Sequence, residues 1–389
     1  LGKTLGIGAL AVCALVFIVG VTRLVLSTAE FSLSDPFIIQ ELLNLFMIAV
    51  SLAIAAVPEG LPAVVTISLA GGMREMVKRH ALIRKLASVE TLGSVTVICS
   101  DKTGTLTQNQ MTVTRLWADG KFITVTGSGY EPHGEFLNDD HKIDFKSYRG
   151  VGTALWIGAL NNDAQLELSG ESDGKPTYRI VGDPTEGSIL VAAEKAGTSV
   201  EDLQKAYPRV QEIPFDSERK RMLTIHAIKQ PLDDDISPFT SADRGKGYII
   251  AVKGAPDVVL NLCTQRLKLD NSVEPLTEEG RKEILAANDA MTKDALRVLG
   301  VAYRVVPQMP EEITPEALEK DLIFAGLIGM IDPARPEVKA ALTEAKTAGI
   351  RTIMITGDYP NTARAIAEEI GLIAPGHQVL TGADIEDKS

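Results

Sequence analysis

The fold of this chain is decided by the stretch Val95-Thr96-Val97-Ile98-Cys99-Ser100-Asp101-Lys102-Thr103-Gly104-Thr105-Leu106-Thr107. Residues Val95–Cys99 are β-branched or apolar and uncharged, which is typical of a short buried strand. Asp101 then lies at the carboxyl end of that strand, where open α/β sheets place their reactive groups. The lysine, glycine and threonines that follow supply positive charge, close backbone approach and hydroxyl donors around a phosphoryl group. The stretch therefore predicts an α/β sheet with a phosphoryl site at Asp101.

A lone Asp-Lys-Thr-Gly sequence would favour an ordinary polar turn, but the pattern continues into Gln108-Asn109-Gln110-Met111-Thr112. At this length it resembles the phosphorylation motif of P-type ATPases. The resemblance implies that Asp101 attacks the γ-phosphorus of ATP and forms an aspartyl-phosphate. It implies that Lys102 and Thr103 assist this step, and that Asp101 and Thr103 hold Mg²⁺.

A soluble phosphatase is the competing enzyme. P-type ATPases share their phosphorylation domain with haloacid-dehalogenase-type phosphatases, which carry a second aspartate two residues after the nucleophile. Thr103 occupies that position here, and a threonine cannot act as general acid or base at neutral pH. A long-lived phosphoenzyme suits a transporter that changes shape before hydrolysis, so Thr103 favours the pump.

The length and net charge of the chain argue against other classes of protein. The 389 residues are enough for two or three domains, and the three cysteines are too far apart for a disulfide framework or a metal cluster. Residues 1–80 hold five basic and five acidic side chains, so residues 81–389 carry the whole net charge of −12. An acidic soluble part argues against nucleic acid as a partner.

Two long uncharged runs predict transmembrane helices. Residues 4–22 carry no charge and are long enough to span a bilayer core, whereas a signal peptide would be shorter and would end in a cleavage site. Residues 42–73 form a second span, interrupted by Glu59. Basic residues follow residue 73, which places residues from 74 onward in the cytoplasm and residues 24–41 outside. We therefore expect a multi-pass integral protein of the cell membrane.

The second span is interrupted by Val57-Pro58-Glu59-Gly60-Leu61-Pro62. Each proline removes a backbone donor, and unwound backbone at membrane depth is tolerated where it lines a cavity. Glu59 adds an intramembrane carboxylate, and carboxylate with carbonyl oxygens suits a hard cation such as calcium. The predicted carbonyl ligands are those of Ile54, Ala55 and Val57. The alternative is a kinked structural helix with a snorkelling or protonated glutamate.

Residues Ala55–Pro62 also resemble the fourth transmembrane helix of calcium-type (type II) P-type ATPases. Sodium/potassium pumps usually have leucine at the position of Pro62, and heavy-metal pumps use a cysteine motif that this span lacks. The resemblance implies calcium as the transported cation. Manganese is the alternative, because secretory-pathway-type pumps share the motif.

The region after Thr112 reads as an inserted α+β domain. Alternating apolar residues with glycines predict a β-hairpin over 113–130, and helical patterns lie near 147–162, 184–197, 276–299 and 314–319. A strand is predicted over Tyr248–Val252. The expected domains are transmembrane helices and stalk (1–87), phosphorylation domain (88–112 and 323–389) and nucleotide-binding domain (113–322).

Several motifs in this insertion resemble the nucleotide domain of the same family. Phe215 would stack on adenine and Lys220 would contact the nucleotide, although a solvated charge run beside a core phenylalanine is the alternative. The aspartate of Gly182-Asp183-Pro184-Thr185-Glu186-Gly187 is also a natural helix N-cap. The resemblance implies a set of ATP-binding residues: Glu186, Phe215, Lys220, Lys253, Arg297 and Asp332.

The chain is then expected to return to the phosphorylation domain. Phe324–Ile331 predicts a buried strand, residues 337–348 a helix, and Arg351–Ile355 a second strand that ends in Thr356-Gly357-Asp358. Strands alternating with helices indicate a doubly wound, haloacid-dehalogenase-like sheet. Thr356 and Gly357 resemble a phosphate-gripping motif with Asp358 beside it, which implies that all three belong to the catalytic site.

The resemblance also predicts features beyond Asp358, namely a phosphate-gripping lysine and a Gly-Asp-Gly-x-Asn-Asp magnesium loop. Neither occurs between Asp358 and Ser389. We therefore expect a fragment with a truncated phosphorylation domain, inactive alone, whose partners are the actuator domain and other transmembrane helices of the same pump, with ATP, the cation and the bilayer. The alternative from another class is a membrane-anchored ATP-binding module without turnover.

Overall fold

The computed structural model describes residues 2–27, 35–56, 60–172, 174–231, 236–358, 360–374 and 376–386. The chain separates into two compact units, Leu1–Thr96 and Val97–Ser389. Each unit is described by itself.

The first unit is helical. Its helices are α1 (Gly2–Ser27), α2 (Pro36–Ala56), α3 (Gly60–Lys78) and α4 (Ala87–Gly93). Two segments, Gly6–Ser27 and Pro36–Ala55, are long and apolar enough to cross a membrane. The expected second span over 42–73 falls on two helices, α2 and α3, of which the apolar segment Pro36–Ala55 of α2 meets the criteria for a membrane span. It begins before residue 42 because Asp35 starts the helix: its Oδ1 accepts a hydrogen bond of 2.9 Å from Phe37 N, and Pro36 follows as a favourable first helical residue.

Helices α1 and α2 pack against each other through aromatic and small residues. The rings of Phe17 and Phe46 meet edge to face with centroids 6.3 Å apart, and Gly20 lies against the side chain of Leu45. Apolar side chains point outward from both helices, for example Ile18 and Ile48, which are 59% and 57% exposed. Outward apolar surface of this kind is stable in lipid and costly in water.

The second unit is built on an eleven-stranded sheet with the order β5-β4-β3-β2-β14-β13-β10-β9-β8, to which β11 and β12 attach beside β14. Its pairs are antiparallel except β11–β14. The strands are β2 (Thr112–Ala118), β3 (Lys121–Val125), β4 (Phe136–Asn138), β5 (His141–Lys142), β8 (Arg209–Asp216), β9 (Arg221–Ala227), β10 (Tyr248–Gly254), β11 (Cys263–Leu267), β12 (Val273–Pro275), β13 (Arg297–Val306) and β14 (Leu322–Ile331).

Helices cover both faces of this sheet. Helices α5 (Arg149–Leu160), α6 (Pro184–Lys195) and α7 (Val200–Ala206) contribute to one core, and α8 (Pro256–Asn261), α9 (Glu278–Lys293) and α10 (Pro315–Leu318) to the other. Strand β10 shows why: Ile249 and Ala251 enter the first core while Ile250 and Val252 enter the second, since successive strand side chains point to opposite faces. A hairpin of β6 (Gln165–Ser172) and β7 (Lys175–Val181) stands apart from the sheet.

Strands β1 (Val97–Asp101) and β15 (Arg351–Ile355) form a separate parallel pair. Helices α11 (Val338–Thr347), α12 (Pro360–Glu369) and α13 (Gly382–Glu386) belong to the same part of the chain. A small cluster of Leu106, Val338 and Ile370 forms its buried core.

Three sequence predictions need correction. Strand β1 is not buried, since Val97 and Ile98 are 44% and 40% exposed and in the described part of the chain β1 pairs only with β15. The helix predicted over 276–299 ends at Lys293, because Ala295 adopts a left-handed conformation with φ 59° and Arg297 begins a strand. Residues 113–130 do form the predicted hairpin, β2 and β3.

The third correction concerns the return strand. Strand β14 does not join the parallel pair of β1 and β15; it lies between β2 and β13 in the large sheet. Its apolar run reflects burial on both faces of a central strand. The structure is thus a mixed α/β fold, and of the expected doubly wound sheet the described residues contain one parallel pair. The expected boundary at residues 322 and 323 falls at the start of a strand of the large sheet.

Candidate functional site

Asp101 is the last residue of β1 and lies at the carboxyl end of the parallel β1–β15 pair. In the strand register it stands opposite Ile355, so the loop that follows each strand begins at the same end. Lys102 extends between the two loops, with its Nζ 2.5 Å from Oδ2 of Asp358 and its side chain 8% exposed. The structure therefore brings Asp101, Lys102, Thr103 and Asp358 together, as the motif and the strand ends predicted.

The loop after Asp101 is closed on itself. Asp101 Oδ1 accepts a 3.3 Å hydrogen bond from Thr103 N, Gly104 N donates to Thr107 Oγ1 at 3.3 Å, and Thr107 N donates to the carbonyl of Lys102 at 3.0 Å. Gly104 has a φ of 73°, which favours glycine because a Cβ is strained there. The side chain of Asp101 remains exposed, so its carboxylate is accessible to a large substrate.

The segment after β14 braces this loop. Asp332 Oδ2 accepts a 2.5 Å hydrogen bond from the Thr107 hydroxyl, and its Oδ1 accepts one of 3.2 Å from Gln110 N. Arg335 donates from Nη2 to the Gly104 carbonyl at 3.1 Å. The structure therefore places Asp332 beside the Asp101 loop with both carboxylate oxygens engaged. The signal for this role is an Asp-Pro pair directly after a strand.

The second loop is short. The amide of Asp358 donates to Thr356 Oγ1 at 3.1 Å, which turns the chain through Gly357 and directs it toward Lys102. Thr356 is half-buried and Gly357 is exposed. All three predicted residues of this loop thus follow the strand that pairs with the Asp101 strand.

A second group of site residues lies on the large sheet around Lys253. This lysine stands on β10 opposite Met222 of β9 and Val301 of β13. Its Nζ lies 2.5 Å from Glu186 Oε1 and also donates to the carbonyl of Asn161. Burial lowers the pKa of Lys253 below its usual value, although the Glu186 carboxylate acts in the opposite direction.

Glu186 lies at the start of a helix and Arg297 at the start of a strand. Glu186 lies in the first turn of α6, which Asp183 caps by accepting from Thr185 N at 2.7 Å. Arg297 is exposed at the start of β13. Burial acts to raise the pKa of Asp183, but hydrogen bonds from Thr185 and Glu186 and the charge of Arg297 outweigh it, so the pKa is lowered.

Sequence reasoning missed the polar residues that support Lys253. Asn161 Nδ2 donates to the carbonyls of Met222 at 3.0 Å and Ala251 at 2.8 Å. Asp163 N donates to Glu186 Oε2 at 2.9 Å, and Arg209 Nη1 lies 2.6 Å from Asp163 Oδ1. The signal was Asn161-Asn162-Asp163, a polar triplet that follows the apolar helix α5 at once.

Phe215 is an exposed aromatic residue near this group. The pairs Ile213–Leu223 and Asp216–Arg221 leave Pro214 and Phe215 together opposite Met222, which itself pairs with Lys253. Phe215 thus stands two strands from Lys253, about 10 Å away at the usual strand spacing. It is 64% exposed, which excludes the alternative that it is a core residue.

Lys220 lies in the turn between β8 and β9, with a φ of 53°. Its amide donates to the Asp216 carbonyl at 2.7 Å, and its carbonyl accepts from Ala255 N at 3.0 Å. Gly254 allows this approach, because a Cβ there would lie 2.4 Å from the Lys220 carbonyl oxygen. The turn is therefore joined to the end of the strand that carries Lys253.

The predicted ion ligands are described only in part. Ile54 and Ala55 lie in the last turn of α2, whereas Val57 and Glu59 lie outside the described residues. Among the residues that the structure describes, no three His, Cys, Asp or Glu side chains cluster as a metal site. The exposed Asp101 carboxylate, with Thr103 on the same turn, offers the hard oxygen atoms that suit Mg²⁺.

Comparison with known proteins gives a consistent result. Residues 151–337 match the family described as P-type ATPase, cytoplasmic domain N. The chain is 41% identical over 389 residues to a calcium-transporting ATPase of Bacillus subtilis, covering 100% of this chain and 40% of that protein. It is 41% identical over 385 residues to calcium-transporting ATPase 1 of Lactococcus lactis (99% of this chain, 38% of that protein).

A third relative is the cation-transporting ATPase pma1 of Synechocystis, 43% identical over 339 residues, which cover 86% of this chain and 35% of that protein. The chain thus spans about two fifths of the length of the relatives it matches. The match to the Bacillus subtilis protein covers the whole chain and therefore includes the Asp101 loop and the sheet that carries Lys253.

Proposed function

This chain belongs to the P-type ATPases, and on that premise we propose that it supplies the phosphorylated aspartate, the nucleotide site and part of the ion path of a calcium-transporting pump. The observation that carries the proposal is the site at Asp101. An exposed carboxylate lies at the edge of two parallel strands, beside a lysine held by the second loop. The remaining parts of the pump would be an actuator domain and further transmembrane helices.

The proposed chemistry is transfer of the γ-phosphoryl group. An oxygen of the Asp101 carboxylate forms a bond to the γ-phosphorus of ATP while the bond to the bridging oxygen breaks, and ADP leaves with those electrons. Lys102 places its positive charge beside the transferred group, and Asp358 orients that lysine through the 2.5 Å contact. Mg²⁺, held by Asp101 and Thr103, would offset charge on the phosphate oxygens when bound.

The loop also accounts for a long-lived phosphoenzyme. Thr103 stands two residues after the nucleophile, and its neutral hydroxyl supplies no general base for attack by water. Its amide donates to the Asp101 carboxylate. Slow hydrolysis leaves time for a conformational change that moves the ion, which supports a pump over a phosphatase.

ATP would bind across the edge of the large sheet. Phe215 is exposed and suited to stacking on adenine, while Lys220 and Arg297 are exposed cations. The Nζ of Lys253 lies 2.5 Å from Glu186 Oε1, and this contact holds the ammonium group in one position. Asp332 would act from the segment after β14, where Thr107 of the Asp101 loop donates to it.

The transported cation is proposed to be calcium. The support is that the Bacillus and Lactococcus relatives are calcium-transporting ATPases, together with the Pro58-Glu59-Gly60 sequence that is predicted to interrupt the helix. Glu59 and the carbonyls of Ile54, Ala55 and Val57 would provide hard oxygen ligands. The chain would lie in the cell membrane as part of a multi-pass protein, with the unit from Val97 onward in the cytoplasm.

Phosphorylation with radiolabelled ATP tests this proposal. In membranes that contain the pump carrying this sequence, ATP should give an acid-stable, hydroxylamine-sensitive label that is absent from Asp101→Asn. Asp289→Asn, which changes an exposed aspartate of α9, is the matched control and should retain the label. Persistence of the label in Asp101→Asn would refute the assignment.

A further inference from the structure

Glu319 is a buried carboxylate that the proposed reaction does not use. It follows α10, and its side chain is 2% exposed. Two arginines surround it: Arg219 Nη2 lies 3.1 Å from Oε1, and Arg221 donates to Oε2 from Nε at 2.7 Å and from Nη2 at 2.5 Å. A carboxylate with so little exposure requires such partners.

The two arginines are the neighbours of Lys220 in the turn between β8 and β9. Arg221 Nη1 donates to the Arg219 carbonyl at 2.9 Å, and Arg219 Nη2 donates to the Arg221 carbonyl at 3.2 Å. Arg221 thus hydrogen-bonds to Glu319 and Arg219 forms an ion pair with it, while each guanidinium also donates to the backbone on the other side of Lys220. The left-handed φ of 53° at Lys220 is unfavourable for a side chain with a Cβ, and these contacts stabilise it.

The position of Glu319 is itself fixed. Leu318, the residue before it, is fully buried in the core below α9. Arg304 Nη2 also lies 3.4 Å from the carbonyl oxygen of Leu318. Glu319 therefore presents its carboxylate from the end of α10, beside a buried core residue and roughly one hundred residues along the chain from the turn.

The turn carries two of the residues assigned to ATP. Phe215 lies directly before Asp216, whose Oδ1 accepts from Glu218 N at 2.9 Å and from Arg219 N at 2.8 Å. Lys220 remains exposed, whereas the flanking arginines are turned to Glu319. One cation of the turn, Lys220, therefore faces solvent, and the two arginines hold the turn in place.

We propose that Glu319 is a positioning residue of the nucleotide site, which fixes the 216–221 turn through Arg219 and Arg221 so that Phe215 and Lys220 meet ATP in one geometry. This inference rests on the proposed ATP site. Glu319 would act through the two arginines, because its own side chain is 2% exposed. A buried ion pair adds little to stability compared with an apolar contact of the same size, so the value of this one lies in the conformation that it selects.

Calorimetric titration of the full chain in detergent with ATP tests the inference. Glu319→Gln should weaken ATP binding roughly tenfold, or about 1.4 kcal/mol, because the turn loses its fixed conformation. Phe215→Ala should then cost less in the Glu319→Gln background than in the wild type, since stacking requires the fixed turn. Glu274→Gln, which breaks the 2.6 Å contact with Arg266 on β11, is the matched control and should leave affinity unchanged.

The outcomes separate the two proposals. If the wild-type chain does not bind ATP, or Phe215→Ala binds as the wild type does, the proposed function fails. If Phe215→Ala is weakened but folded Glu319→Gln is not, or if Glu274→Gln is weakened equally, only the role of Glu319 fails. Should Glu319→Gln not fold, Arg221→Lys decides, because it keeps the charge but loses the forked contact: unchanged affinity overturns the inference and a tenfold loss supports it.

Discussion

The Nζ of Lys102 lies 2.5 Å from Oδ2 of Asp358, and this contact joins the loops that follow β1 and β15. Because the strands are parallel and Asp101 is opposite Ile355, both loops begin at the carboxyl end of the pair. The contact fixes Lys102 next to the proposed nucleophile, Asp101. The first prediction concerns the removal of this contact.

Asp358→Asn should reduce phosphorylation at Asp101 roughly tenfold, because Lys102 is 8% exposed and loses its charged partner. Loss of a partly exposed pair of this kind costs on the order of 1–2 kcal/mol. Phosphoenzyme formation from radiolabelled ATP measures the effect. Glu135→Gln, which breaks the exposed 3.0 Å contact with Lys142, is the control; equal rates in the wild type and Asp358→Asn would contradict the role of the contact.

Asp332→Asn should loosen the Asp101 loop, since the amide replaces a carboxylate that accepts from Thr107 and Gln110. We expect a loss of about 1–2 kcal/mol in the free energy of unfolding and slower phosphorylation. Asp144→Asn is the control, because Asp144 accepts one exposed hydrogen bond from Lys146 N. Thermal unfolding of both variants, followed by circular dichroism, makes the comparison; an unchanged Asp332→Asn would show that the brace is not needed.

Phe215→Ala should weaken ATP binding by about 1–3 kcal/mol, the contribution of stacking on an aromatic ring. Its effect on unfolding should be small, because the ring is 64% exposed. Phe122→Ala removes a ring that is 40% exposed on β3 and should leave binding unchanged. Calorimetric titration with ATP measures both, and equal losses in the two variants would place the adenine elsewhere.

Glu59→Gln keeps the size of the side chain but removes its charge, so calcium should bind more weakly. The calcium concentration that half-activates phosphorylation should rise about tenfold or more. Glu75→Gln changes an exposed glutamate on α3 that pairs with Lys78 and is the control. An unchanged calcium dependence in Glu59→Gln would leave the Pro58-Glu59-Gly60 sequence with a structural role alone.

His226 should make the stability of the large sheet depend on pH. Burial lowers its pKa from 6.5 to about 4; its Nδ1 donates to the Tyr207 carbonyl at 2.9 Å. The unfolded chain therefore binds a proton between pH 6.5 and 4 that the folded chain excludes, so stability falls as the pH falls through this window. At about 1.4 kcal/mol per pH unit the loss reaches roughly 3 kcal/mol.

The measurement is the unfolding midpoint at several pH values from 4 to 7. His226→Asn should be less stable at pH 7 but should show a flatter pH dependence, whereas His141→Asn, at an exposed position of β5, should keep the wild-type dependence. A slope in His226→Asn equal to that of the wild type would assign the pH dependence to other groups.

Much of this protein was determined by its sequence alone. The apolar run over residues 4–22 specifies α1, and the run that begins at residue 42 specifies most of α2. The Asp101 stretch specifies a strand that ends at Asp101, and Arg351–Ile355 specifies a second strand. These features depend on residues close together along the chain, so the local pattern is sufficient.

Other features were decided only by the tertiary structure. The position of β14 between β2 and β13, the bonds from Thr107 to Asp332 and the contacts of Glu319 with Arg219 and Arg221 join residues that are far apart along the chain. The sequence pattern of an apolar strand is the same whichever sheet the strand joins. The sequence pattern of a charged turn is likewise the same whether its arginines face solvent or a buried carboxylate. Strand pairing and burial select between these states, because a buried charge or backbone group is stable only where the fold provides its partner.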